Sequence, residues 1–137
     1  MEALSAINYH YNEIYKRLNQ LNNLINEINS DELTPQQLQT LSSYTSFIHR
    51  DIINHLRVEE EVLFSLRKDM KDNKSRDIQN ILDDYDELNG ALDQFVYGVK
   101  TESTPDILES AKSILKHFPR HMLKVDRIAG QQPRVLH

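Results

Sequence analysis

Two polar side chains stand where a soluble helix should bury only hydrocarbon. In "INHLRVEEEVLF", residues 53–64, His55 and Glu59 lie four apart among Ile53, Leu56, Val62 and Leu63. The wider pattern Ile48, Ile52, His55, Glu59, Val62 and Leu66 steps by 4, 3, 4, 3 and 4 residues, which is the spacing of one helical face. Side chains four apart are stacked neighbours on such a face, so an imidazole and a carboxylate are aimed together at an interior. His121 holds a seam position in a second pattern, Ile107, Ala111, Ile114, Phe118, His121, Val125 and Ile128, with Asp126 beside it. His10, between Ile7 and Ile14, borders an apolar stripe near the start of the chain.

Such groups need partners. A buried polar group left unpaired costs roughly 1–3 kcal/mol, against a total domain stability of about 5–15 kcal/mol. A metal is one solution, because neutral imidazole with carboxylate suits iron, zinc, manganese or copper. Ligands projecting inward from facing helices build such sites in bundles. The other solution is mutual hydrogen bonding, and any one of these histidines taken alone reads as a paired core or boundary residue. The joint placement of His55, Glu59 and His121 on seams favours the metal. The remaining candidates read more plainly. Glu60 and Glu61 belong to a solvated face, His49 is a boundary residue, and His137 is in the tail. His117, one turn before His121, is either a ligand or a donor behind one.

The elements that must position these residues are four long helices. The first carries Leu4, Ile7, Tyr11, Ile14, Leu18, Leu21, Ile25 and Ile28 in alternating steps of 3 and 4. Thr34-Pro35-Gln36-Gln37 starts a second helix, with Thr as cap, Pro at the first position and Gln completing a capping box. That helix is expected from Pro35 to about Met70. After "KDNKS" a third carries Ile78, Leu82, Tyr85, Asn89, Leu92 and Val96. Thr104-Pro105 repeats the cap signature for the fourth, which contains Pro119, expected to kink or loosen it, and which Gly130 would end. Short breaks between helices of similar length predict an all-α, antiparallel up-down-up-down four-helix bundle over 1–130, followed by a tail at 131–137.

Composition narrows the function classes. The chain has 137 residues, is 39% hydrophobic and 27% charged, and carries a net charge of −5. That fits one soluble domain with a single core. An acidic balance without a basic stripe argues against nucleic acid. With no cysteine, disulfides, iron–sulfur clusters and thiol chemistry are excluded. Neither a signal peptide nor a membrane-spanning run is visible, so a cytoplasmic location is the expectation. Only three glycines are present, and neither a phosphate-cradling loop nor a nucleophile elbow appears.

These residues resemble the hemerythrin and hemerythrin-like (HHE) family over almost the whole chain. "HLRVEEEVLF" resembles the family's His-x-x-x-Glu-Glu helix, and "ILKHFPRHMLKVDRIAG" resembles its His-x-x-x-x-Asp segment through His121 and Asp126. His10 stands for the single histidine of the first helix. The resemblance implies a non-heme di-iron centre, with His10 and His55 on one iron, His121 on the other, and Glu59 and Asp126 bridging. The departure is in the third helix, where the family places one or two histidines and this chain has none. In "ILDDYDEL" it is Tyr85 that takes that position. Tyr85 would then bind as a phenolate, or the site would hold one metal only, or the polar residues would pair among themselves around a packed tyrosine.

Three functions are open to such a chain. The first is binding or sensing of dioxygen, nitric oxide or iron in an apolar pocket, for which Ile7, Ile52, Val62 and Ile114 would form the shell. The second is a redox enzyme that decomposes peroxide or oxidises ferrous iron. The third is a metal-free helical interaction module. Apolar seams of this length would also support a homodimer.

Overall fold

The computed structural model describes residues 11–28, 32–69 and 73–128. Among the described residues there are five α-helical segments: α1 Tyr11–Glu27, α2 Pro35–Phe47, α3 Ile53–Asp69, α4 Asn73–Lys100 and α5 Thr104–Ile128. A π-helical turn, Ile48–Ile52, joins α2 to α3. The expected second helix is therefore one rod with a widened turn in its middle, and the molecule is a four-helix bundle. Among the described residues there is no strand. None of the helices is long and apolar enough to cross a membrane. His10, Gly130 and the expected tail lie outside the described residues.

Each helix forms for reasons written in its own sequence. Thr34 caps α2: its hydroxyl accepts from the Gln37 amide at 3.1 Å, and the Gln37 side chain accepts from the Thr34 amide at 3.0 Å. Pro35 opens that helix, where a missing amide costs nothing. The link from α4 to α5 closes tightly. Glu102 takes a left-handed conformation, φ 56°, and the Ser103 amide donates to the Gly98 carbonyl at 2.8 Å. Gly98 is needed here because α5 presses on it: a Cβ would stand 3.0 Å from both Asp106 Cβ and the Ile107 nitrogen. Helix α5 continues through Pro119 as a single α-helix. It begins at Thr104, one residue ahead of the expected first helical position, a shift within the usual uncertainty of a helix end.

The core lies along the expected seams in α1 and α5. Tyr11, Ile14, Leu18, Leu21, Ile25 and Ile28 are buried in the first, and Ile107, Ala111, Ile114, Phe118, His121 and Val125 in the second. Two seams run differently. In α4 the deep stripe is Ile78, Ile81, Tyr85, Leu88, Leu92 and Phe95, so Leu88 replaces Asn89, which is exposed, and Phe95 replaces Val96. In the second rod Ile48 and Ile52 are buried as expected, but beyond the π turn the deepest apolar side chains are Leu56 and Leu63. Val62 and Leu66 are only partly buried. The widened turn accommodates an extra residue and shifts the phase of the helix beyond it. Glu59 is the residue on which the expected and observed stripes coincide.

The capping box makes a direct prediction. Thr34→Ala should lower stability to urea by about 1 kcal/mol. Thr40→Ala, which removes an exposed hydroxyl bonded to the Gln36 carbonyl, should change it by less than about 0.5 kcal/mol.

Candidate metal centre

Glu59 stands at the middle of the bundle with no solvent exposure. Its helix α3 places His55 one turn earlier, α4 supplies Tyr85 across the antiparallel hairpin, and α5 supplies His121. The two carboxylate oxygens face different partners. Oε1 accepts from the Tyr85 hydroxyl and from His121 Nε2, the latter at 2.5 Å. Oε2 lies 3.2 Å from His55 Nε2, but off the line of a good hydrogen bond, so neither of these two atoms has a hydrogen-bond partner among the described residues. The Tyr85 and His121 rings meet edge to face with centroids 5.0 Å apart.

The other face of His121 looks toward the surface. Its Nδ1 is 3.7 Å from Asp84 Oδ2, and that oxygen accepts from Lys124 Nζ at 2.9 Å. Asp84 thus stands behind the imidazole on its far side. Its place in "ILDDYDEL", next to Tyr85, was the available signal, but one acidic residue among four in that stretch could not be singled out by type. His117 is drawn elsewhere, to Glu87 Oε1 at 3.0 Å. His49 and Glu61 are exposed, and Glu60 is partly exposed. Asp126 is buried in the last turns of α5. The structure therefore brings His55, Glu59, Tyr85 and His121 into one contact group.

Burial and pairing oppose each other here. Burial pushes the Glu59 carboxyl up most strongly, but the charge of His121 and the contacts from His121 and His55 outweigh it and hold the group down, at about 2. For His121 burial pulls down, and the Glu59 charge, with Asp84 behind, outweighs it and raises the imidazole to about 9. Burial also pushes the Tyr85 phenol well above its ordinary value, as does the adjacent Glu59 carboxylate. The group is thus a carboxylate accepting from an imidazolium and a neutral phenol.

The hemerythrin HHE cation-binding domain model matches residues 8–131. The chain belongs to the hemerythrin family. No curated protein and no solved structure matches it significantly. Hemerythrin domains of this description bind cations, and the donors can be tested for fit. Among the described residues, no three histidine, aspartate or glutamate side chains already stand as a cation-binding cluster. Yet metal–ligand bonds of about 2.0–2.2 Å put neighbouring donor atoms roughly 3 Å apart, which is the separation of His55 Nε2 and Glu59 Oε2. His121 Nε2 and Glu59 Oε1 are closer, at 2.5 Å, as a hydrogen-bonded pair, and a cation on that side would have to take the proton's place. Imidazole and carboxylate donors fit the family's cation in type, and the His55–Glu59 pair fits it in spacing.

Two predictions concern the protein freed of cations. The Glu59 contribution to stability is full above its ordinary value of 4.5 and is lost as pH falls toward about 2. The His121 contribution is full below 6.5 and is lost as pH rises through about 9. The stabilisation from this pair should therefore be greatest between pH 4.5 and 6.5. The urea midpoint should fall between pH 6.5 and about 9 in the native sequence and fall less in His121→Ala. Tyr85→Phe, which removes a buried donor to a charged acceptor, should cost on the order of 1.5–3 kcal/mol in the same assay.

Proposed function

We propose that this hemerythrin-family protein is a non-heme iron protein that binds or senses a diatomic ligand, dioxygen or nitric oxide, at a two-iron centre. One observation carries the reading: the two oxygens of a fully buried carboxylate face two different imidazoles from two different helices. A carboxylate shared between two cations requires that division. In this reading His55 and Glu59 would hold one iron, and His121 and Glu59 the other. His10 and Asp126 complete the set that the family resemblance implies. When bound, iron supplies the electrons that a diatomic ligand needs in order to be held.

The chain's own residues then have separate tasks. Glu59 fixes the spacing of the two positions and supplies negative charge that favours cations over protons. Tyr85 restrains Glu59 by donating to Oε1, and takes the place the family gives to a histidine. Asp84 Oδ2 lies 3.7 Å from His121 Nδ1, beyond hydrogen-bond reach, and places negative charge behind the imidazole, the side on which a carboxylate usually backs a metal-binding histidine. Ile52, Leu56, Leu63 and Ile114, all buried, keep the interior dry, which protects a bound small ligand from proton exchange with bulk water.

The test is elemental analysis with a visible spectrum, on protein purified without chelator and on the same protein loaded anaerobically with ferrous iron. The expected result is about two irons per chain and a spectrum that responds to dioxygen or nitric oxide. His55→Ala and Glu59→Gln should each retain at most half the iron of the parent, while Lys112→Ala, on the exposed face of α5, retains all of it. About one metal per chain would remove the shared-carboxylate reading. No metal after loading would remove iron altogether.

A further inference from the structure

A pocket lies beside the Glu59 cluster and shares His55 with it. Between α1 and the second rod is a pocket of about 470 Å³ whose lining includes Ile14, Arg17, Phe47, Asn54, His55 and Val58. The size is that of a small-molecule site. Arg17 is the unusual member. Its guanidinium lies over the rings of Phe47 and Tyr44, 4.9 and 5.4 Å from their centroids. Its Nε is buried and has no hydrogen-bond partner among the described residues. Stacking on two rings holds the guanidinium plane in place but satisfies none of its five donors. A partly buried cation with an unused, buried Nε donor at a pocket wall calls for an anion.

The other lining groups narrow the anion's class. Arg50 also lines the pocket, but it is exposed and already paired with Asp51 at 4.0 Å. Glu13 adds negative charge at the same pocket, which opposes a multivalent anion such as phosphate. One guanidinium fork matches one carboxylate in shape and charge. Ile14, Phe47 and Val58 offer hydrocarbon to whatever the carboxylate is attached to. We propose that this pocket binds a small organic monocarboxylate, with its carboxylate on Arg17 and its hydrocarbon against Ile14, Phe47 and Val58. His55 forms part of the same wall, so the ligand would lie against an imidazole assigned above to the iron centre.

The experiment is a titration of the full chain as purified, by calorimetry and by amide chemical shifts. The probes are hexanoate, hexanamide as its uncharged counterpart, and inorganic phosphate. The expected result is saturable hexanoate binding, at least about tenfold tighter than either of the others, with shifts clustered at Ile14, Arg17, Phe47 and Asn54. Arg17→Gln, checked for native helicity by circular dichroism, should weaken hexanoate by about tenfold or more. Equal binding of hexanoate and hexanamide would overturn the proposal, as would the absence of saturable binding at millimolar concentration. So would hexanoate binding that survives Arg17→Gln but disappears once cations have been removed, because the carboxylate would then sit on the metal. If Arg17→Gln does not fold, the hexanoate-to-hexanamide ratio and the location of the shifts decide the matter in the native sequence alone. Because the pocket is tested through Arg17 and the iron centre through metal content, either can fail without the other.

Discussion

A carboxylate with no access to water governs this molecule. Glu59 would be untenable in the middle of a bundle without positive or donating partners, since an isolated buried charge costs more than a small domain can supply. Its partners come from three helices, and they in turn fix how those helices meet. The Tyr85 hydroxyl ties α4 to α3, and His121 ties α5 to both. Register, rotation and depth at the centre of the bundle are set by one acceptor and its donors. Around them the apolar seams supply most of the favourable burial but little positional information, because leucine and isoleucine tolerate sliding and rotation better than a hydrogen bond does.

The same arrangement explains how a protein can hold a costly polar cluster and still fold before any metal arrives. The imidazolium of His121 and the phenol of Tyr85 occupy the carboxylate's lone pairs in place of cations. On the proposed reading, cation binding there would exchange protons for metal rather than fill a void, and would depend on pH for that reason. The His55 side differs in kind. There the nitrogen and Oε2 face each other without a well-aligned hydrogen bond, so less is lost when a cation comes between them. On the proposed reading the two sides of Glu59 would differ in affinity on these grounds alone.

Much of this is legible in residue order. Alternating steps of 3 and 4 place the cores of α1 and α5, the Thr34–Gln37 capping box marks the start of α2, and His55, Glu59 and His121 stand out as polar residues on apolar seams. The features that escape have definite physical reasons. Periodicity assumes 3.6 residues per turn, so the π turn at Ile48–Ile52 is invisible to it, and the seam beyond reads as Val62 and Leu66 where Leu56 and Leu63 lie deeper. In α4 two apolar stripes run side by side, and the one through Asn89 is the shallower. Pairings between helices are out of reach altogether. That Tyr85 donates to Glu59, that Asp84 backs His121, and that Arg17 lies on Phe47 are facts about distances between segments, which spacing along the chain does not encode.

The π turn has a further meaning for how such a centre can change over time. It divides the second rod into a half that packs the core near Leu41, Tyr44 and Phe47 and a half that carries His55 and Glu59. The two halves are joined by a turn that already holds one residue more than an α-helix would need. A single insertion or deletion there would rotate one half against the other by about 100° and leave both hairpin loops at their present lengths. The rod therefore behaves as a keyed coupling, in which the half that carries His55 and Glu59 can be re-indexed one notch at a time while the helix that anchors it stays in place.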